Sequence, residues 1–140
     1  MKRIFVILLS VLFVSGVAFA EKKEVPANIV GAKTVNAEQI IDLIDTHDDL
    51  IVIDSRKKSD VAKGFIEGSV SLPNTETNAD TLAKHIPSKA THVVFYCNGI
   101  KCGRSGKAVA IAHSLGYKNL YWFRGGMQEW ENKGLPIAKP

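Results

Sequence analysis

The sequence predicts an α/β domain built on a mostly parallel sheet, and three observations carry that prediction. Leu50-Ile51-Val52-Ile53 and Val93-Val94-Phe95-Tyr96 are apolar runs with no polar alternation, as strands buried on both faces require. Between the apolar runs lie segments with helical spacing and helix-capping residues. Strand and helix patterns then alternate to the end of the chain, which is how units of a parallel sheet are built.

The elements follow in order. Residues 32–35 form a short strand. Asn36, with Gln39 three positions on, has the capping-box spacing. Ile40, Ile41, Leu43 and Ile44 give the following helix one apolar face, and it ends in Thr46-His47-Asp48-Asp49. The run 50–53 is a strand leading into Asp54. Ser59 caps a short helix that stops at Gly64, and Val70-Ser71-Leu72-Pro73 is a strand ended by its proline. Residues 78–86 make a polar-capped helix with Pro87 beyond it. The run 93–96 leads directly into Cys97. Asn98 to Gly103 contains two glycines and no apolar period, so it is a loop. Ala108, Val109, Ile111, Ala112 and Leu115 mark a helix that starts at Arg104-Ser105 and ends before Gly116. Leu120-Tyr121-Trp122-Phe123 is the last strand. After Gly125-Gly126, a short helix carries Met127 and Trp130 and ends at Gly134.

The N-terminus has a different character. Met1-Lys2-Arg3 is basic, 4–17 is almost wholly apolar, and Ala18-Phe19-Ala20 is the small-x-small pattern of a cleavage site. Residues 1–20 therefore read as a secretory signal peptide. The apolar run is shorter than the roughly 20 residues a membrane-spanning helix needs, so no stable membrane insertion is expected after cleavage. The domain organisation expected is a signal peptide over 1–20, an N-terminal segment over 21–31 and one folded domain over 32–137. The protein is then exported, to a periplasm or beyond the cell.

The 140-residue chain carries 18 Lys and Arg against 14 Asp and Glu. Two of the basic residues, Lys2 and Arg3, lie in the leader. A mature charge this close to balance argues against nucleic acid as a partner. The four histidines show no His-x3-His spacing and the two cysteines offer no zinc-type set, so no metal and no cofactor is expected. Cys97 and Cys102 would close too small a loop to serve as a scaffold. Whether they pair is left open by the spacing.

The chemistry-bearing pattern is strand, Cys97, glycine-containing loop, helix. Ligands of open α/β sheets bind beyond the carboxyl ends of the strands, and Cys97 sits at such an end. The backbone N–H groups of the loop can form an anion-binding nest, and the helix beginning at Arg104 points its positive end at the same place. Lys101 and Arg104 add charge. Each of these favours a thiolate over a thiol, and no His or Asp is adjacent to act as a dedicated base. Thiolate phosphatases use a similar loop with Cys-x5-Arg spacing. Here the spacing from Cys97 to Arg104 is Cys-x6-Arg, and the loop lacks an acid, so phosphatase activity is not expected.

Several short stretches together resemble one family. Val52-Ile53-Asp54-Ser55-Arg56, then Gly64-Phe65-Ile66-Glu67-Gly68-Ser69 and Leu72-Pro73-Asn74, are similar to its L-I-D-V-R, G-H-I-x-G-A and N-I-P motifs. Phe95-Tyr96-Cys97 with Gly103-Arg104-Ser105 resembles its active-site strand and loop. Gly125-Gly126-Met127-Gln128-Glu129-Trp130 with Gly134-Leu135-Pro136 resembles its closing G-G-x-x-x-W…G-L-P signature. The chain is identified by these motifs as similar to the rhodanese (sulfurtransferase) family over about residues 32–137.

The resemblance implies a five-stranded, mainly parallel sheet with helices on both faces. It implies a catalytic Cys97 that takes sulfane sulfur from a small sulfur-containing anion such as thiosulfate. The acceptor it implies is a thiol, a protein thiol included, or cyanide. It places substrate-binding groups on Asn98, Gly99, Ile100, Lys101, Cys102, Gly103 and Arg104, and makes Asp54 and Arg56 structural. Two departures stand out. Phe65 replaces the family's usual His, and the loop is two residues longer than the usual Cys-x4-Arg and contains Cys102. Two other functions fit the same residues: a sulfur-carrier or binding module with little turnover, which needs only Cys97, and a thiol–disulfide redox protein, which needs both cysteines.

Overall fold

The structure, a computed structural model, describes residues 24–140; the leader expected over 1–20 lies outside them. Among the described residues, seven strands and five helices follow in chain order: β1 (Ala32–Val35), α1 (Ala37–Thr46), β2 (Ile51–Asp54), α2 (Lys58–Val61), β3 (Phe65–Ile66), β4 (Val70–Ser71), α3 (Ala79–His85), β5 (His92–Tyr96), α4 (Arg104–Ser114), β6 (Asn119–Phe123), α5 (Gly126–Asn132) and β7 (Ile137–Ala138), with a 3-10 turn at Asn74–Glu76. Among these described residues no helix is long and apolar enough to cross a membrane.

Five strands form one parallel sheet in the order β1-β6-β5-β2-β4. Side chains alternate across a strand, and each central strand feeds two cores. Ile53, Val93, Phe95, Leu120 and Trp122 point to one side, where they meet Leu82 of α3 and Ala108, Val109 and Ala112 of α4. Val52, Val94, Tyr96 and Phe123 point to the other, where they meet Ala37 and Ile40 of α1 and Met127 and Trp130 of α5. Helices thus cover both faces, and the unbroken apolar runs follow from that. Complete burial of each such aliphatic or aromatic side chain contributes roughly 1.5–3 kcal/mol.

Local signals set most element ends. Asn36 accepts from Gln39 N while the Gln39 side chain accepts from Asn36 N, closing the capping box of α1. Asn78 and Thr81 do the same for α3. Ser59 does not cap α2: the helix starts at Lys58, Lys57 occupies the cap position, and no side chain makes a cap hydrogen bond. A four-residue helix is held by its surroundings more than by its own cap. The strand expected over 70–73 is paired only at Val70 and Ser71. The antiparallel pair of β3 with β7, Phe65 opposite Ala138 and Ile66 opposite Ile137, has no counterpart in the sequence reading. Each partner is two residues long, too short for a period to show.

The chain leaves β2 toward the β4 edge and leaves β5 toward β6 and the opposite edge. The connections therefore diverge between β2 and β5, and a crevice opens beyond their carboxyl ends. Asp54-Ser55 ends one strand and Tyr96-Cys97 the other, at the middle of the sheet.

Candidate active site

Beneath the crevice lies a buried polar network. Asp54 is fully buried and Arg56 is 4% exposed. Arg56 donates from Nε and Nη2 to the Asp54 carboxylate at 2.6–3.1 Å and from Nη2 to the Gly64 carbonyl at 2.8 Å. The Arg56 backbone N–H adds a bond to Asp54 Oδ1 at 3.0 Å. Tyr96 donates its hydroxyl to Asp54 Oδ2 at 2.6 Å and accepts from Ile66 N at 3.2 Å. Its oxygen also lies 3.1 Å from Ser69 Oγ. Burial, and then the Asp54 charge, push the Tyr96 hydroxyl well above its usual range. Burial would lower the Arg56 pKa, but hydrogen bonds to Asp54 and its charge outweigh it and raise the value. Asp54 and Arg56 thus join β2, β5 and the turn leading to β3. A buried ion pair tolerates its desolvation when further hydrogen bonds complete it, as they do here.

Above this network sits the loop after β5. Cys97 is 1% exposed. Strand alternation continued one residue past Tyr96 places Cys97 on the side of Phe95, the face that α4 covers. Two hydrogen bonds from α5 tether the start of the loop, Met127 N to Cys97 O and Gln128 N to Asn98 O, both 2.8 Å. Gly126, at φ +56°, makes that approach possible, since a Cβ there would lie 2.3 Å from Cys97 O and 3.0 Å from Gly99 N. The glycine-pair motif was legible in the sequence; its function as the seat of the cysteine loop was not. At the far end, Cys102 N donates to Gly99 O at 2.9 Å, closing a turn.

No side chain caps α4 at Gly103. Its first helical bond is Lys107 N to Gly103 O, so the N–H groups of Arg104, Ser105 and Gly106 have no intrahelical acceptor. They and the helix dipole supply positive potential at the end of β5. Cys97 and Cys102 are joined by a disulfide across a Cα–Cα distance of 6.2 Å, within the usual span for such a bond.

A cavity of about 750 Å³ opens beside the loop. Asn98, Gly99, Ile100, Lys101 and Cys102 line it, with Arg56, Lys63, Asp60 and Glu131 among the residues facing them. Cys97, Gly103 and Arg104 are not on its wall. Arg104 Nη1 lies 3.4 Å from Asn74 Oδ1, and Asn98 donates to Asp60 at 3.2 Å. The cations on the cavity wall are thus Lys63, Lys101 and the paired Arg56. Lys63 could not be placed there from sequence, because it comes from the end of a different βα unit.

Four further residues gain meaning from the fold. Ser55, buried one residue past β2, donates its N–H to Tyr96 O at 2.9 Å. Its Oγ is, among the described residues, a buried side-chain polar atom with no hydrogen-bond partner. At the opposite end of the sheet, His47, Asp49 and His92 bring ligand-type atoms within 4.8 Å of one another. Chain spacing hid this cluster. The Asp49 carboxylate there spends both oxygens on His92, 2.9 Å from Nδ1 and 3.2 Å from the backbone N, and the His92 hydrogen bond lowers the Asp49 pKa.

A parallel sheet with this order, a cysteine loop at its switch point and a glycine-seated helix define an α/β domain with its candidate site beyond the carboxyl ends of β2 and β5. The model of the rhodanese-like domain matches residues 36–133. The chain belongs to the rhodanese-like domain family. A tRNA uridine(34) hydroxylase of Yersinia pestis (strain Pestoides F) is 32% identical over 125 residues, a match covering 80% of this chain and 32% of that protein. The chain thus spans about a third of the length of the curated relatives it matches. In structure, a rhodanese-related protein from Thermoplasma volcanium superposes with a TM-score of 0.63 at 24% identity, covering 77% of this chain and 99% of that one. A thiosulfate sulfurtransferase from Pseudomonas aeruginosa does so at 0.61 and 21% identity, covering 77% of this chain and 20% of that one. These two likenesses bear on fold alone.

Proposed function

We propose that this protein is a sulfurtransferase that carries sulfane sulfur on Cys97, from a small anion such as thiosulfate to a thiol or cyanide. The observation that carries the reading is the position of Cys97, at the end of the central strand beside the uncapped N-terminus of α4. N–H groups aimed at a sulfur stabilise its thiolate and lower its pKa.

The reaction begins from the reduced cysteine pair, since a disulfide-bonded Cys97 has no free thiolate. The Cys97 thiolate attacks the outer sulfur of thiosulfate. A Cys97–sulfur bond forms, the sulfur–sulfur bond of the donor breaks, and sulfite leaves with the electron pair. An acceptor thiolate or cyanide then attacks the terminal sulfur of the persulfide, and Cys97 leaves as the thiolate. Lys63 and Lys101 on the cavity wall offer the donor its charge complement, and the backbone N–H groups at the start of α4, which have no intrahelical acceptor, offer the sulfur its positive potential. The leader pattern supports export, so that the protein works in a periplasm or outside the cell.

Intact mass measured after the reduced protein meets thiosulfate tests the reading. One added sulfur atom, absent from Cys97→Ser, is expected. A Cys97→Ser protein that still gains sulfur would overturn it.

A further inference from the structure

We infer that Cys102 resolves the Cys97 persulfide within the same chain and releases hydrosulfide, so that the domain reduces sulfane sulfur as well as transferring it. The inference rests on the reading of Cys97 as the sulfur-bearing residue.

The two sulfurs reach bonding distance with the loop in place. Strand β5 and two α5 hydrogen bonds hold Cys97, and the Gly99–Cys102 turn and α4 hold Cys102. A nucleophile positioned this way acts at an effective concentration far above any free thiol, on the order of 10⁵ M or more for well-aligned pairs. The two cysteines also differ in access. Cys97 is buried, whereas Cys102 is half-buried and lines the cavity. Cys102 therefore stands between a persulfide on Cys97 and any acceptor entering from the cavity.

The step balances without an outside oxidant. The Cys102 thiolate attacks Sγ of Cys97, forming the Cys97–Cys102 bond. The bond from Cys97 Sγ to the sulfane sulfur breaks, and that sulfur leaves with the electron pair as hydrosulfide, keeping the persulfide proton. The sulfane sulfur gains two electrons, and the two cysteine sulfurs give one each. The disulfide product is the pairing seen in the structure. A dithiol reductant then resets the site. Its first thiolate attacks the accessible Cys102 sulfur and expels Cys97, whose thiolate the α4 N-terminus stabilises as a leaving group. Its second thiolate frees Cys102 and carries away the two electrons as its own disulfide.

The test uses the full chain and its Cys102→Ser and Cys97→Ser variants, each reduced, freed of reductant and given thiosulfate with no acceptor. Hydrosulfide is trapped with a bimane reagent, and each protein is weighed intact. The wild type is expected to release about one hydrosulfide per chain and end as the disulfide. Cys102→Ser should hold its persulfide and release hydrosulfide at least about tenfold more slowly. Persulfide retained equally by wild type and Cys102→Ser, with no hydrosulfide from either, would overturn the inference and leave the sulfurtransferase reading standing. Equal hydrosulfide from both proteins would also overturn it. No sulfur gained by Cys102→Ser, with no hydrosulfide from wild type, would overturn both.

Discussion

Gly126→Ala tests the link between the closing glycine pair and the cysteine loop. The substitution adds one methyl group at φ +56°, where it would lie 2.3 Å from Cys97 O and 2.9 Å from Cys97 C. Both are backbone atoms and cannot swing aside. The left-handed conformation itself costs an alanine about 1–2 kcal/mol. Relief of the clash requires α5 to withdraw, stretching the 2.8 Å bonds from Met127 N and Gln128 N to the loop carbonyls, each worth about 1 kcal/mol net. The expected loss is about 2–4 kcal/mol, a fall in melting temperature on the order of 10 °C for a domain of this size. Gly134→Ala is the matched control. It has φ +65° and nothing within 4 Å of its added Cβ, so it meets the conformational cost alone. Thermal melts of the two variants give the stability difference, and the rate of persulfide formation from thiosulfate reports whether the loop has moved. Equal melts for the two variants, with wild-type persulfide rates in Gly126→Ala, would refute the reasoning.

Five further outcomes are expected. Asp54→Ala removes the partner of a buried guanidinium and should cost about 3–5 kcal/mol, with smaller loss of activity per folded molecule; an unchanged melt with activity abolished would reverse that assignment. Tyr96→Phe should cost about 1–3 kcal/mol at neutral pH, because Ile66 N–H is orphaned. Since the folded Tyr96 pKa is raised, that advantage is complete below the unfolded value of about 10 and should shrink as pH climbs beyond it; urea titrations from about pH 9 to about pH 11, roughly one unit either side of the unfolded value, read the difference, and a gap that widens would be the wrong sign. Lys63→Ala with Lys101→Ala should raise the KM for thiosulfate by about two- to fivefold, the scale of exposed charge pairs, with iodoacetamide labelling of reduced Cys97 unchanged. Arg104→Ala, whose side chain turns to Asn74, should affect thiosulfate use less, and a larger effect would show that Arg104 swings into the site. N-terminal sequencing of exported protein should begin at Glu21; a mature chain still starting at Met1 would refute the leader assignment.

The sequence alone determined the α/β class, most element positions and the place of Cys97. Those features are written in local patterns: apolar runs such as 93–96, the Asn36–Gln39 and Asn78–Thr81 boxes, and glycines that must follow helices. Where the local signal is weak, at Ser59 or in the two-residue strands β3 and β7, sequence and structure part because such short pieces are stabilised by neighbours distant in the chain. Only the tertiary structure decided what surrounds the cysteine. Arg104 follows the loop by sequence yet points to Asn74, while Lys63 and Glu131 arrive on the cavity wall from other elements. Gly126 and Tyr96 act across the sheet at contacts no spacing encodes. The pairing of Cys97 with Cys102 depends on where a turn inside the loop aims two side chains, and a loop without a period leaves that direction unstated until the fold has fixed both of its ends.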